Sequence, residues 1–180
     1  MPELNAALRI VRRPPAIGLA ADRAFCQWVA RLAVRSLYAE LALYPKPGLV
    51  SLVDNGSHED MTAATFVRSL FALRRYFLRI AEAGMADAPF HELKRLGIEA
   101  EARMLRATGG INTHRGAIFC LGLLCAAIGR CRAAGTALAP AAIQGALLRH
   151  WGPALGAHSA DLATPSHGTA ARLRYAASGA

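Results

Sequence analysis

Between Asp22 and Tyr44 the apolar residues Phe25, Trp28, Val29, Leu32, Leu37, Leu41 and Tyr44 return at helical spacing, and Pro45 ends the pattern. Glu40 falls three positions after Leu37 and four before Tyr44, on or beside the apolar stripe. Phe66, Leu70, Leu73, Phe77 and Ile80 predict a second amphipathic helix, with Gly84 placed beyond its end as a C-terminal stop. A third starts near Pro89, a residue suited to a first helical turn, and runs through Leu93, Gly97, Ala100, Met104 and Ala107 to Gly109-Gly110. Glu101 shares the face of Gly97, Met104 and Thr108.

A fourth helix is expected from about His114 to Arg132, with Asn112 or Thr113 as its cap; being apolar nearly all round, it is expected to be central. A fifth runs from Pro140 to about His150, and Ser166 opens a sixth. The first twenty residues, with Arg12-Arg13-Pro14-Pro15 and no sustained period, predict an arm. No run alternates with period two over the length of a strand. The pattern therefore predicts an all-α protein: an arm over 1–20 and one bundle-like, multi-helix domain over 21–180, with its site in the interhelical loops.

Composition narrows the class. The chain of 180 residues is 54% hydrophobic and 18% charged, too apolar for a disordered chain and long enough for one core. Lysine and arginine number 21 against 12 acidic residues, and an excess of +9 attracts polyanions. The arginines (Arg31, Arg35, Arg68, Arg74, Arg75, Arg79, Arg103 among them) are scattered and not interleaved with aromatics, so a solvated basic face is expected and no nucleic acid. Cys26, Cys120, Cys125 and Cys131 form no C-x-x-C pair and read as reduced residues of a cytoplasmic protein. Ala117 to Ile128, the most apolar run, is shorter than the ~20 residues of a membrane span, so no membrane is expected.

Two loops carry more polar groups than a bundle needs. In Tyr44-Pro45-Lys46-Pro47-Gly48-Leu49-Val50 two prolines stiffen the chain around a lysine, which suits a cation held against phosphate and equally suits a surface turn. Downstream, His58 and Asp60 can converge on Mg²⁺ or a reacting hydroxyl; the plainer readings are a loop histidine and a helix N-cap. In Thr108-Gly109-Gly110-Ile111-Asn112-Thr113-His114-Arg115-Gly116, paired glycines can turn amides inward beside a helix start, and Arg115 adds a planar donor for phosphate oxygens.

Three ordered segments resemble the triphosphoribosyl-dephospho-CoA synthase family: Ala39-Glu40-Leu41 with Pro45-Lys46-Pro47-Gly48-Leu49-Val50; Asp54 to Met61; and Glu101 to Phe119. Ser166-His167-Gly168-Thr169 resembles a further family segment. Family members make the prosthetic-group precursor of the acyl-carrier subunit of citrate lyase or malonate decarboxylase, from ATP and 3′-dephospho-CoA. Family proteins are longer, so the resemblance implies that this chain, ending at Ser178-Gly179-Ala180, is a truncated or naturally short form, expected to be weakly active or inactive alone.

The resemblance implies attack of the dephospho-CoA 2′-hydroxyl on the anomeric carbon of ATP's ribose, with loss of adenine. Glu40, His58, Asp60 and Glu101 are the catalytic candidates, with Glu40, Asp60 and Glu101 as Mg²⁺ ligands. Lys46, Gly109, Gly110, Asn112, Thr113, His114, Arg115 and His167 are the substrate-binding candidates; capping the helix is the equal alternative for Asn112 and His114. A salt bridge to a buried arginine is the rival role for Glu40 and Glu101. Another ATP-dependent transferase or a non-catalytic, basic nucleic-acid-binding module remain the alternatives.

Overall fold

The computed structural model describes residues 18–161, so most of the expected arm, the sixth helix and His167 lie outside the described residues. Five helices follow one another: α1 (Leu19–Ala42), α2 (Ala63–Met85), α3 (Phe90–Thr108), α4 (Arg115–Ala133) and α5 (Pro140–Asp161). Among the described residues there is no strand, so the protein is all-α.

The helices run up and down. Ser69 meets His114, Tyr76 bonds Ile118 and Gly84 abuts Ala126, so α2 and α4 run in the same direction. Arg132 at the end of α4 pairs with Asp22 at the start of α1, so those two are antiparallel. The C-termini of α1 and α3 and the N-termini of α2 and α4 consequently share one end of the bundle, where both polar loops lie. At the other end α5 closes the core, with Trp151 buried and its Nε1 donating to Ala88 O at 2.9 Å.

α4 packs against all four other helices, as expected of a central helix, and α2 shares the centre with it, packing against α1, α3 and α4. Its core face carries Leu70, Leu73, Tyr76, Phe77 and Ile80, and Thr62 with Thr65 forms the capping box that starts it. Thr62, not Asp60, is therefore the cap. Gly84, expected as a stop, lies inside α2; a Cβ there would sit 2.0 Å from Ala126 O, and at Gly129 2.2 Å from Ala81 O. These glycines let the two backbones approach closely. The small residues of α4 thus face α2, whereas Phe119 and Leu124 point outward. By length and composition α4 is long and apolar enough to cross a membrane (19 residues, mean hydropathy 1.5).

The buried stripe of α1 is Cys26, Val29, Ala30, Ala33, Leu37 and Leu41, rotated from the expected one; Trp28, Leu32 and Tyr44 are exposed. The fifth helix runs on past His150 through Pro153.

Candidate functional site at the loop end of the bundle

The α3–α4 connection is set by its glycines. Gly109 and Gly110 have φ of 70° and 91°, a region open to glycine at little cost, and their amides sit over Leu105 O as a helix stop; the Gly110 bond is 2.7 Å. Both glycines therefore serve the turn itself. Thr108 Oγ1 lies 2.6 Å from Ile111 O and fixes the loop. The N-cap position of α4 is His114, not Asn112 or Thr113, and has no side-chain cap bond, while Asn112 Oδ1, two positions before that cap, accepts the Arg115 amide at 3.1 Å.

His114 enters the core directly before α4. It is 5% exposed; its amide donates to Met104 Sδ, its ring meets Phe66 edge-on, and Nδ1 lies 2.7 Å from Ser69 Oγ and 3.2 Å from Thr113 Oγ1. Nε2 is buried with no hydrogen-bond partner. Burial lowers its pKa from 6.5 to about 4, opposed by the charge of Glu40, so the imidazole is neutral at pH 7. Ser69 was not legible as a site residue; the available signal was a serine embedded in the apolar stripe of α2.

The α1–α2 loop closes on itself. Ser51 Oγ accepts the amides of Val53 and Asp54, Asp54 Oδ1 accepts that of Gly56, and a Cβ at Gly56 would lie 2.5 Å from the Gly48 carbonyl carbon. Lys46 folds back onto the end of α1, with Nζ 2.8 Å from Glu40 Oε1 and 2.7 Å from the Glu40 carbonyl oxygen. It thus pairs a carboxylate and caps a helix C-terminus.

Glu101 receives Arg115, with Nε at 2.6 Å and Nη2 at 2.5 Å from Oε1. Two of the three carboxylates singled out from sequence, Glu40 and Glu101, are therefore paired with cations singled out for phosphate. The rival role is met in part: both acids are in salt bridges, Glu40 with a lysine whose side chain is only 10% exposed and Glu101 with the exposed Arg115, but neither acid is itself buried. His58 Nδ1 and the exposed Asp60 Oδ1 are 3.9 Å apart.

The Glu101–Arg115 pair is part of the lining of a largely apolar cleft of about 360 Å³ between α3 and α4, with Lys94 and His158 as its other polar groups and Tyr76, Ile98, Ile118 and Phe119 among its apolar ones. Such a space accepts a flat apolar group beside charged ones. Among the described residues no three His, Cys, Asp or Glu side chains converge, so Glu40, Asp60 and Glu101 do not form a ready metal cage. Mg²⁺ arriving with a nucleotide needs only one or two carboxylates, its other oxygens coming from phosphate and water, and the partly exposed Glu40 and Asp60 meet that requirement.

Comparison with known proteins bears on this geometry. A probable 2-(5''-triphosphoribosyl)-3'-dephosphocoenzyme-A synthase of Acinetobacter calcoaceticus is 40% identical over 149 residues, 83% of this chain and 51% of its own length. The 2-(5''-triphosphoribosyl)-3'-dephosphocoenzyme-A synthase of Haemophilus ducreyi is 42% identical over 112 residues, 59% of this chain and 35% of its own. A probable synthase of the same name from Citrobacter koseri is 44% identical over 120 residues, covering 63% and 40%. The chain thus spans about half or less of the length of these curated relatives. No solved structure matches it. Residues 26–180, which include the whole loop end described above, match the ATP:dephospho-CoA triphosphoribosyl transferases, and the chain belongs to that family.

Proposed function

We propose that this chain carries out triphosphoribosyl transfer from ATP to the 2′-hydroxyl of 3′-dephospho-CoA. The bond between adenine and the ribose anomeric carbon breaks, a bond from that carbon to the 2′-oxygen forms, the hydroxyl proton leaves to a base, and adenine departs protonated. The triphosphate stays on the ribose. The observation that carries the reading is the Glu101–Arg115 pair in the lining of the apolar cleft, at the end of the bundle that also holds Lys46–Glu40.

In this reading the carboxylates of Glu40 and Glu101 offset positive charge developing at the anomeric carbon, and one of them or Asp60, with His58 alongside, takes the hydroxyl proton. Lys46 and Arg115 exchange their carboxylate partners for phosphate oxygens as the nucleotide enters, a trade of like hydrogen bonds. Asn112 and Thr113 flank the anion's path, while Gly109 and Gly110, whose amides are taken by Leu105 O, shape the turn that presents them. Glu40 or Asp60, with Glu101 as the further candidate, would hold a nucleotide-bound Mg²⁺, which would supply neutralisation of phosphate charge. His114, neutral and bound to Ser69, positions the loop. The product serves an acyl-carrier subunit of citrate lyase or malonate decarboxylase, in the cytoplasm. Incubation with ATP and dephospho-CoA should release adenine, measured by chromatography; ADP, AMP or pyrophosphate instead would identify another transferase.

A further inference from the structure

The arginines that look scattered along the sequence are gathered by the fold. Arg31 and Arg35 from α1, Arg74 and Arg75 from α2, and Arg103 from α3 line one open groove of about 720 Å³. It lies on the face where α1 and α3 flank α2, away from the α3–α4 cleft. Among the described residues no carboxylate pairs with any of the five, whereas Arg79, Arg95, Arg115, Arg130 and Arg132 each meet one. Five unneutralised guanidiniums in one concavity repel one another, a cost that a bound polyanion removes.

Shape and lining select among polyanions. The groove has the volume of a small-molecule site, and its floor is apolar, with Val34, Leu78 and the 59% exposed ring of Phe71. The Arg74 guanidinium lies 4.9 Å from the centroid of that ring, so cation and aromatic face already stand together. The floor offers an apolar surface to a base and the rim offers forked donors to phosphate oxygens. Arg35 lies five residues before Glu40 and Arg103 five before Thr108, which places the near rim of the groove within about 8 Å of the loop end along the helix axes.

We propose that this groove is a binding site for a nucleotide carrying two or more phosphates, its phosphates on Arg31, Arg35, Arg75 and Arg103 and its base on Phe71. The assignment does not depend on which bond the chain makes or breaks, and it is read by binding alone. Calorimetric titration of the 180-residue chain at low salt with inorganic tripolyphosphate and with ATP tests it. Both should bind, ATP the more tightly. Arg35→Gln with Arg75→Gln should weaken both by about tenfold or more, and the corresponding lysine pair should recover part of the loss. Phe71→Ala should weaken ATP and spare tripolyphosphate. All three side chains are exposed, and circular dichroism should show the fold intact.

Arg23→Gln with Arg106→Gln, exposed positions outside the groove, serves as the charge control. Equal weakening by that control would overturn the site in favour of general attraction to a basic protein. So would absence of tripolyphosphate binding, or binding abolished by Lys46→Gln but not by the groove variants. Tighter binding of single-stranded RNA or of anionic lipid vesicles than of ATP would assign the groove to a macromolecular surface and overturn the nucleotide.

Discussion

Ser69 Oγ and His114 Nδ1 lie 2.7 Å apart, both buried, although 45 positions separate them in the chain. Together with the edge-on packing of the His114 ring against Phe66, this bond fastens the α3–α4 connection to α2. Ser69→Ala leaves the volume nearly unchanged but strips a buried imidazole of its best partner, and should cost about 1–3 kcal/mol in a denaturant titration. An unchanged midpoint would mean that Thr113, 3.2 Å from the same nitrogen, suffices to hold the ring.

The same histidine sets a pH dependence. Burial depresses its pKa from 6.5 to about 4, with Glu40 opposing. Between those values the unfolded chain binds a proton that the folded chain refuses, so the stabilisation is complete above pH 6.5 and is lost as pH falls toward 4. The shift corresponds to about 3 kcal/mol at most. His114→Asn, compared with the parent at pH 7.5, 6 and 5, should flatten this slope. Parallel pH profiles for the two proteins would remove the assignment.

The helices were legible because each buries one stripe of a 3.6-residue period, and Pro45, Pro89 and Gly109 punctuate them in ways that local chemistry dictates. Gly84 misled because a glycine near a helix end reads as a stop; only the approach of α4 gives it a different role. The one-sided packing of α4 was hidden for a related reason, since hydropathy does not distinguish an Ala- and Gly-rich contact face from an exposed Phe119. At the loop end, the residue types were visible but their pairing was not. Nothing local tells that Lys46 turns back to Glu40 or that Arg115 reaches Glu101 across 14 positions. The arginine groove was hidden most completely, because three helices contribute to it.

The α2–α4 contact makes a sharp packing prediction. In Gly84→Ala the new methyl would lie 2.0 Å from a backbone oxygen that cannot rotate away, so the helices must part, at a cost of about 1–3 kcal/mol or more. Gly97→Ala in α3 is the matched control, since its methyl would meet nothing closer than 3.9 Å and alanine favours the helix by up to about 1 kcal/mol. Thermal melts should therefore move in opposite directions. A Gly84→Ala protein as stable as its parent would contradict the close approach.

Glu101 offers the most direct test of the loop end as an active site. Its carboxylate is paired with Arg115 in a partly exposed setting, where loss of one ion pair changes stability by about 1 kcal/mol or less. Glu101→Gln keeps size and hydrogen-bonding capacity while removing the charge. If that charge supports the anomeric centre or a nucleotide-bound Mg²⁺, adenine release should fall about a hundredfold or more, with the melting temperature nearly unchanged. Arg115→Lys separates the two halves of the pair: it keeps a positive charge but loses the planar fork, and should raise KM for ATP more than it lowers kcat. Were Glu101 present only to hold Arg115 in place, Glu101→Gln and Arg115→Lys would both act through KM. A Glu101→Gln protein that melts normally and turns over at near the parental rate would falsify the catalytic role.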